Sequence, residues 1–388
     1  MRNKIFTLMM IILVLLQYNT AIAAGNGEKI VFEDKYFENS VRGDINMPTG
    51  DITDDQLDGV ATVFCSPPFS KGMTSLEDLK HFPNLRTLCI SNLDIRDATP
   101  IGYLHRLKGL HIRSTLLSDL SSLANAPDLK YLTLIDNKIK DISAVGKLTK
   151  LLTLDIEDNN VNDISFLSTL SNLESLVLAA GQISDISALG KLTNLKSLSL
   201  FHVQVIDVNP LKDLKNLLYV HIGSPTLKDV SALQNLNNIE QLYLYSKVED
   251  LSVISKLPNL EDLTASDKIS NIDDLKYLTK LTRLDLRSNK ITDISVLKVL
   301  NNLTELNLGN NKITEIDTLK ALKSLTKLGL NDTDITDLSP LLELTNLKEV
   351  SIADDDLDLR PGSRNREVVD QLRQRGCQVI TLLGTYQN

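Results

Sequence analysis

The sequence predicts an α/β solenoid: a right-handed, curved array of short parallel strands on a concave face, 3₁₀ or helical segments on the convex face, and a cap at each end. Three observations predict it. Apolar residues recur at a fixed period from Leu85 to Leu347, each recurrence opens an alternating L-x-L core, and aromatic residues are only 4% of the 388, with no Trp. A stack of small apolar layers shares one core among neighbours, so it does without the large side chains that fill compact domains.

The period is 22 residues. Units open at Leu85, Leu107, Leu129, Leu151, Leu173, Leu195, Leu217, Ile239, Leu260, Leu281, Leu303, Leu325 and Leu347, with two 21-residue units starting at Ile239 and Leu260. LTRLDLRSNKITDISVLKVL, Leu281 to Leu300, is typical: L-x-x-L-x-L, a turn, an apolar and an acidic place, and two further leucines. That is the leucine-rich repeat pattern. The central L-x-L buries its leucines and turns the intervening residues to the concave face. Thirteen strands at about 4.8 Å make an array roughly 60 Å long.

The segments divide accordingly. Residues 1–24 read as a secretory signal peptide: Arg2 and Lys4 precede the apolar run Ile5 to Leu16, and AIAA at Ala21 to Ala24 offers cleavage after Ala23 or Ala24. That run is shorter than the roughly 20 residues a spanning helix needs. Residues 25–84 form a helical cap, with Phe32, Phe37 and Val41 on one face, and a degenerate first unit in which Val60, Val63 and Cys65 take the strand places. The repeats run over 85–358, and 359–388 close the array with an amphipathic helix, a stop at Gly376 and a last strand. No further domain is expected.

The formal charge is −9, or −11 once Arg2 and Lys4 are removed, which argues against nucleic acid as a partner. Cys65 falls on the core face, Cys89 on the concave solvent face and Cys377 in the last cap, so all three are expected as free thiols.

An acidic column (Asp97, Asp119, Asp141, Asp163, Asp185, Asp207, Asp229, Asp250, Asp293, Asp337) precedes by two residues a column of Ser, Thr, Asn and Asp. The carboxylates are expected to accept turn hydrogen bonds and the second column to cap the convex segments. A calcium ladder would need more converging oxygens than the turns supply.

The concave map is uneven. Early units offer Cys89, His111, Arg113, Tyr131 and Thr133, then an acidic pair, Asp155 and Glu157, expected as a solvated charged face. The units opening at Leu195, Leu217 and Ile239 present Phe201, Tyr219, His221, Gly223, Tyr243 and Tyr245, and later units turn charged, with Arg283, Asp285, Arg287 and Glu305. Exposed Tyr and Phe among polar residues are the composition of an interaction hot spot; sheet packing alone would also favour aromatics there. Phe201 and Tyr245 share a column with Gly223 between them, predicting two rings about 10 Å apart over bare backbone. His202 and His221 lack further ligands for a metal, an open sheet does little to raise a carboxylate pKa, and no nucleophile elbow, phosphate loop or HExxH occurs. No catalytic residue, metal or cofactor is assigned.

The signal peptide, FEDKYFENSVR, the GDIT turn at Gly50 to Thr53 and units ending in forms such as ITDISVLKVL make the chain similar to bacterial internalins. The repeat class also resembles a eukaryotic nuclear phosphatase regulator, a context the signal peptide opposes. The internalin resemblance implies an exported protein that grips another protein, often a host or cell-surface receptor, through its concave face. Without an LPXTG-like sorting signal, a spanning tail or wall-binding modules, a released monomer is expected. The partner-binding candidates are Phe201, Tyr219, His221, Gly223, Tyr243, Tyr245, Tyr131, Arg283 and Arg287; a glycan or cell-envelope ligand on the same aromatic face is the alternative.

At the corner after Phe201, Val203 stands where Asn137, Asn159, Asn289 and Asn311 stand in regular units, and Gly181, Pro225 and Lys247 break that column as well. The irregular turns therefore coincide with the richest aromatic face.

Overall fold

The computed structural model describes residues 27–179, 181–353 and 357–381; the expected signal peptide and the end of the chain lie outside them. The chain forms two compact units, one up to Leu195 and one from Lys196.

The first unit begins with α1 (Lys35–Asp44) and α2 (Asp54–Asp58). Asp34 starts α1 by accepting the N–H groups of Tyr36 and Phe37 at 2.8 and 3.3 Å. Phe37 and Val41, one turn apart, are fully buried, the stripe expected of an amphipathic helix; Phe32 precedes the helix and packs its ring on Phe37 at 6.3 Å. Buried Asp78 accepts the N–H groups of Glu33 and Asp34 at 2.8 and 2.9 Å, tying the cap to the first turn of the array. The strands follow: β1 (Thr62–Cys65), β2 (Thr87–Ser91), β3 (Gly109–Arg113), β4 (Tyr131–Ile135), β5 (Thr153–Glu157) and β6 (Ser175–Ala179). Each pairs in parallel with the next.

The second unit holds β7 (Ser197–Phe201), β8 (Tyr219–Ser224), β9 (Gln241–Ser246), β10 (Asp262–Ser266), β11 (Arg283–Asp285), β12 (Glu305–Asn307), β13 (Lys327–Gly329) and β14 (Glu349–Ser351). It closes with α3 (Arg364–Gln374) and β15 (Gln378–Ile380), again in parallel order. The 21-residue units appear as register: Gln241 pairs Asp262, and Asp262 pairs Arg283. Ser363 caps α3, and Gly376 turns out of it at φ 85°.

The leucines that count out the period form the core. Leu281, Leu284 and Leu286 are at most 1% exposed, and each such side chain contributes about 1.5–3 kcal/mol of burial. Between strands, 3₁₀ helices such as Ser187–Lys191 and Ser295–Val299 carry one leucine inward, Leu189 and Leu297.

The turn chemistry differs from expectation in one respect. The acidic column does accept turn hydrogen bonds: Asp185 Oδ1 takes the N–H of Ser187, and Asp293 Oδ1 that of Ser295, at 2.8 and 2.7 Å. The Ser column, however, does not cap through its own side chains; Ser187 and Ser295 are already the first residues of their 3₁₀ helices, behind Ile186 and Ile294. The carboxylate two residues upstream, rather than the Ser hydroxyl, meets that first N–H. Some of these hydroxyls instead donate to the same carboxylate, as Ser252 does to Asp250 at 2.8 Å.

The Asn column is a buried ladder. Asn311 donates to the carbonyls of Leu286 and Leu308, both at 2.9 Å, and accepts from Ile291 N–H at 3.0 Å. Asn137, Asn159 and Asn289 likewise donate to carbonyls of the preceding unit. A second amide ladder was not anticipated: Asn172, Asn194, Asn238, Asn302 and Asn346 each donate to a carbonyl 23 residues upstream.

The open face is drier than its alternation implies. Thr133, Asp155, Ser199, Asp262 and Thr264 are all below 8% exposed, because neighbouring strands about 4.8 Å apart shield short side chains. Asp155 is therefore not part of a solvated charged pair. Cys89 is likewise only half-exposed: the end of α1 lies against the start of the sheet, with Asp44 accepting Phe64 N–H at 2.8 Å. Burial pushes the Cys89 thiol up to about 12 and raises the buried Cys65 thiol as well. The three cysteines are free.

Candidate binding face

Three adjacent strands bring the aromatic residues together. Register sets Ser197, Tyr219 and Gln241 in one row, Ser199, His221 and Tyr243 in the next, and Phe201, Gly223 and Tyr245 in the third. Successive residues alternate faces, so Val220, Ile222, Leu242 and Leu244 go into the core, at most 1% exposed, and the rings stay outside.

His221 is the centre of the group. Its imidazole stacks on Phe201 at 5.8 Å and 12°, and meets Tyr245 and Tyr243 edgewise at 5.4 and 6.0 Å. Tyr219 leans on Tyr243 at 5.4 Å, and His202 meets Phe201 edgewise at 5.6 Å. The rings of Phe201 and Tyr245 thus do not flank bare backbone as expected; the imidazole of His221, on the strand between them, touches both. Gly223 is close-set too, since a Cβ there would stand 3.3 Å from Phe201 Cα and Cβ.

Tyr219, His221 and Tyr245 are uncharged at neutral pH. Burial holds His221 down at about 4, and its Nδ1 lies 3.3 Å from Ser199 Oγ. Burial also pushes Tyr219 up to about 12 and raises Tyr245. Tyr245 is exposed, at 45%.

Beside the rings lies a polar knot that sequence reasoning did not assemble. Tyr243 Oη and Arg283 Nη2 both donate to the buried carboxylate of Asp262, and Arg283 also reaches Tyr243 Oη at 3.3 Å. Arg283 is therefore committed within the face, and its partner fixes the tilt of Tyr243. Arg287 is held bidentately by Asp285, at 2.6 and 3.1 Å, yet remains exposed. Tyr131 stands on β4 between Gly109 and Thr153, in the first unit; among the described residues no ring contact joins it to another aromatic side chain.

The turns leaving these strands are irregular. In regular units the residue just before the Asn column adopts a left-handed conformation, as Asp136, Asp158, Ser288 and Asn310 do, and His202 follows at φ 54°. After β8 and β9 that bend is missing, and the strands extend to Ser224 and Ser246. Val203 is fully buried in place of the ladder amide, and Ser224 Oγ donates instead to the Val205 carbonyl at 2.7 Å.

A family model described as leucine-rich repeats (2 copies) matches residues 279–321. Among solved structures, an internalin from Listeria monocytogenes is 29% identical with a TM-score of 0.75, covering 84% of this chain and 96% of that one. A leucine-rich repeat protein of Leptospira interrogans is 19% identical with the same TM-score, covering 95% and 97%. A plant peptide hormone receptor, solved in complex with RGF2, is 18% identical with a TM-score of 0.60, covering 85% and 64%. No curated protein matches at a significant level. Parallel strands, 3₁₀ connections and these likenesses define the class: this is a leucine-rich repeat protein. Within that class it is internalin-like. Among the described residues no helix is long and apolar enough to cross a membrane.

Proposed function

We propose that this chain is a binding protein that recognises another protein through the open sheet face of its second unit, anchored on Phe201, Tyr219, His221, Tyr243 and Tyr245. One observation carries the reading: five rings in mutual contact stand on three adjacent strands, on the face the core does not use. Leucine-rich repeats are typical of protein recognition, and the plant peptide hormone receptor of this fold was solved in complex with RGF2. Large rings held rigid by their neighbours lose little freedom on binding, the property of hot-spot anchors. Gly223, Arg283 and Arg287 border the cluster, and Tyr131 is a separate contact in the first unit.

The chemistry is binding rather than catalysis. The amino-terminal charge and apolar pattern supports export, and a host or cell-surface protein is the partner class we propose. The test is affinity capture of surface proteins by the mature chain, identified by mass spectrometry. Replacing Phe201, Tyr219, Tyr243 and Tyr245 together by Ala abolishes capture while far-UV circular dichroism keeps its shape; capture that survives the change sinks the proposal. A glycan is the second reading, favoured by the exposed Tyr245 ring near Asp285 and Arg287, and an oligosaccharide array separates the two.

A further inference from the structure

East of the rings, so to speak, the face carries a ladder of charge. The row that begins with Ser197, Tyr219 and Gln241 continues across β10 to β14 as Asp262, Arg283, Glu305, Lys327 and Glu349, and reaches neutral Gln378 on β15. Neighbours in the row alternate in sign, which is the favourable arrangement for side chains about 4.8 Å apart. The row nevertheless holds three carboxylates and two cations, so one negative charge is in excess whichever rotamers the cations take.

The structure shows where the excess falls. Arg283 turns to Asp262 on one side, and Lys327 turns to Glu349 at 3.3 Å on the other. Glu305, between the two cations in register, is exposed, and among the described residues no cation pairs with it. The remaining charges nearby, Asp285 and Arg287, close on each other.

We propose that the partner presents an extended segment that crosses the strands from β9 to β12, seating an aromatic or large apolar side chain on the ring cluster and a Lys or Arg side chain on Glu305. This rests on the protein-recognition reading above and specifies its ligand. Three strand steps separate β9 from β12, and Tyr243 and Tyr245 lie two and four residues along the strand from the row of Glu305, so the anchors stand about 16 to 20 Å apart, which an extended chain covers in about five or six residues. The intervening Asp262–Arg283 pair is closed and asks for nothing charged, so the segment between the two anchors is neutral.

A random dodecapeptide display library selected on the mature chain tests this. Selected peptides are expected to carry an aromatic residue with a Lys or Arg about five or six positions away. Glu305→Gln keeps the aromatic preference and loses the basic one, and the best wild-type peptide binds that variant roughly fivefold more weakly, the scale of a partly exposed ion pair. Circular dichroism checks that the exposed substitution leaves the fold intact. Peptides with the aromatic residue but no basic preference, or a basic preference unchanged in Glu305→Gln, overturn this inference and leave protein recognition standing. Failure to select any peptide overturns it too, and oligosaccharide binding in that case overturns the protein-recognition reading as well.

Discussion

Phe201 and His221 lie face to face, centroids 5.8 Å apart and planes 12° from parallel, although 20 residues of chain and a complete turn of the array separate them. A stacked, half-buried imidazole is a neutral ring. His111, whose Nδ1 lies 3.1 Å from Thr133 Oγ1, is held at about 4 by burial in the same way.

Both histidines are therefore expected to stay neutral through pH 6 and to titrate near 4, read from imidazole proton shifts by NMR. The unfolded chain binds these protons first, at about 6.5, so each contributes stability that is complete above that pH and is lost as pH falls toward 4. Titration of either ring near its ordinary value would show that it is not packed as described.

The amide ladder makes a second prediction. Asn311→Ala deletes bonds to Ile291 N–H and to the Leu286 and Leu308 carbonyls and costs about 2–3 kcal/mol, the price of stranding buried polar groups. Thr occupies the same place at buried Thr115 and Thr333, so Asn311→Thr costs less. Urea unfolding midpoints rank wild type, Thr and Ala in that order.

The acidic column sets acid sensitivity. Backbone and hydroxyl hydrogen bonds from Ser143, Ser165 and Ser187 hold Asp141, Asp163 and Asp185 below the usual 3.8. Groups with a lowered folded-state value contribute stability above 3.8 that is lost as pH falls through the folded value. Asn271 already fills the place in one unit, accepting Asp273 N–H at 2.8 Å. Replacing the three aspartates by Asn should keep the turns and flatten the fall of the thermal midpoint below pH 4; an unchanged slope counts against the linkage.

Thiol chemistry is a fourth check. Cys65 and Cys89, both with thiols raised by burial, are expected to resist a disulfide reagent at pH 8 in the native protein and to react at once in denaturant. Rapid native labelling of Cys89 would place it on the solvent face that alternation alone suggests.

Much of the fold was legible because the repeat restates itself. The strand places, the two 21-residue units, the Asn ladder and the irregular corner at Val203 all follow from position within a period, and the aromatic face follows from counting every second residue. The second ladder, from Asn172 to Asn346, recurs in sequence too and was available to the same counting. Alternation misjudged Asp155 and Cys89, because it assigns a face and not a depth.

The sequence by itself determined the solenoid, its register and which rings share a face, since a 22-residue period and a two-residue alternation leave little choice of where each side chain begins. Only the tertiary structure decided that His221 fills the space between Phe201 and Tyr245, that Asp262 binds Tyr243 and Arg283 together, and that Glu305 is left with the unmatched charge. Those outcomes depend on which rotamer each side chain takes against neighbours about 20 residues away, and packing between strands settles that, not the local chain.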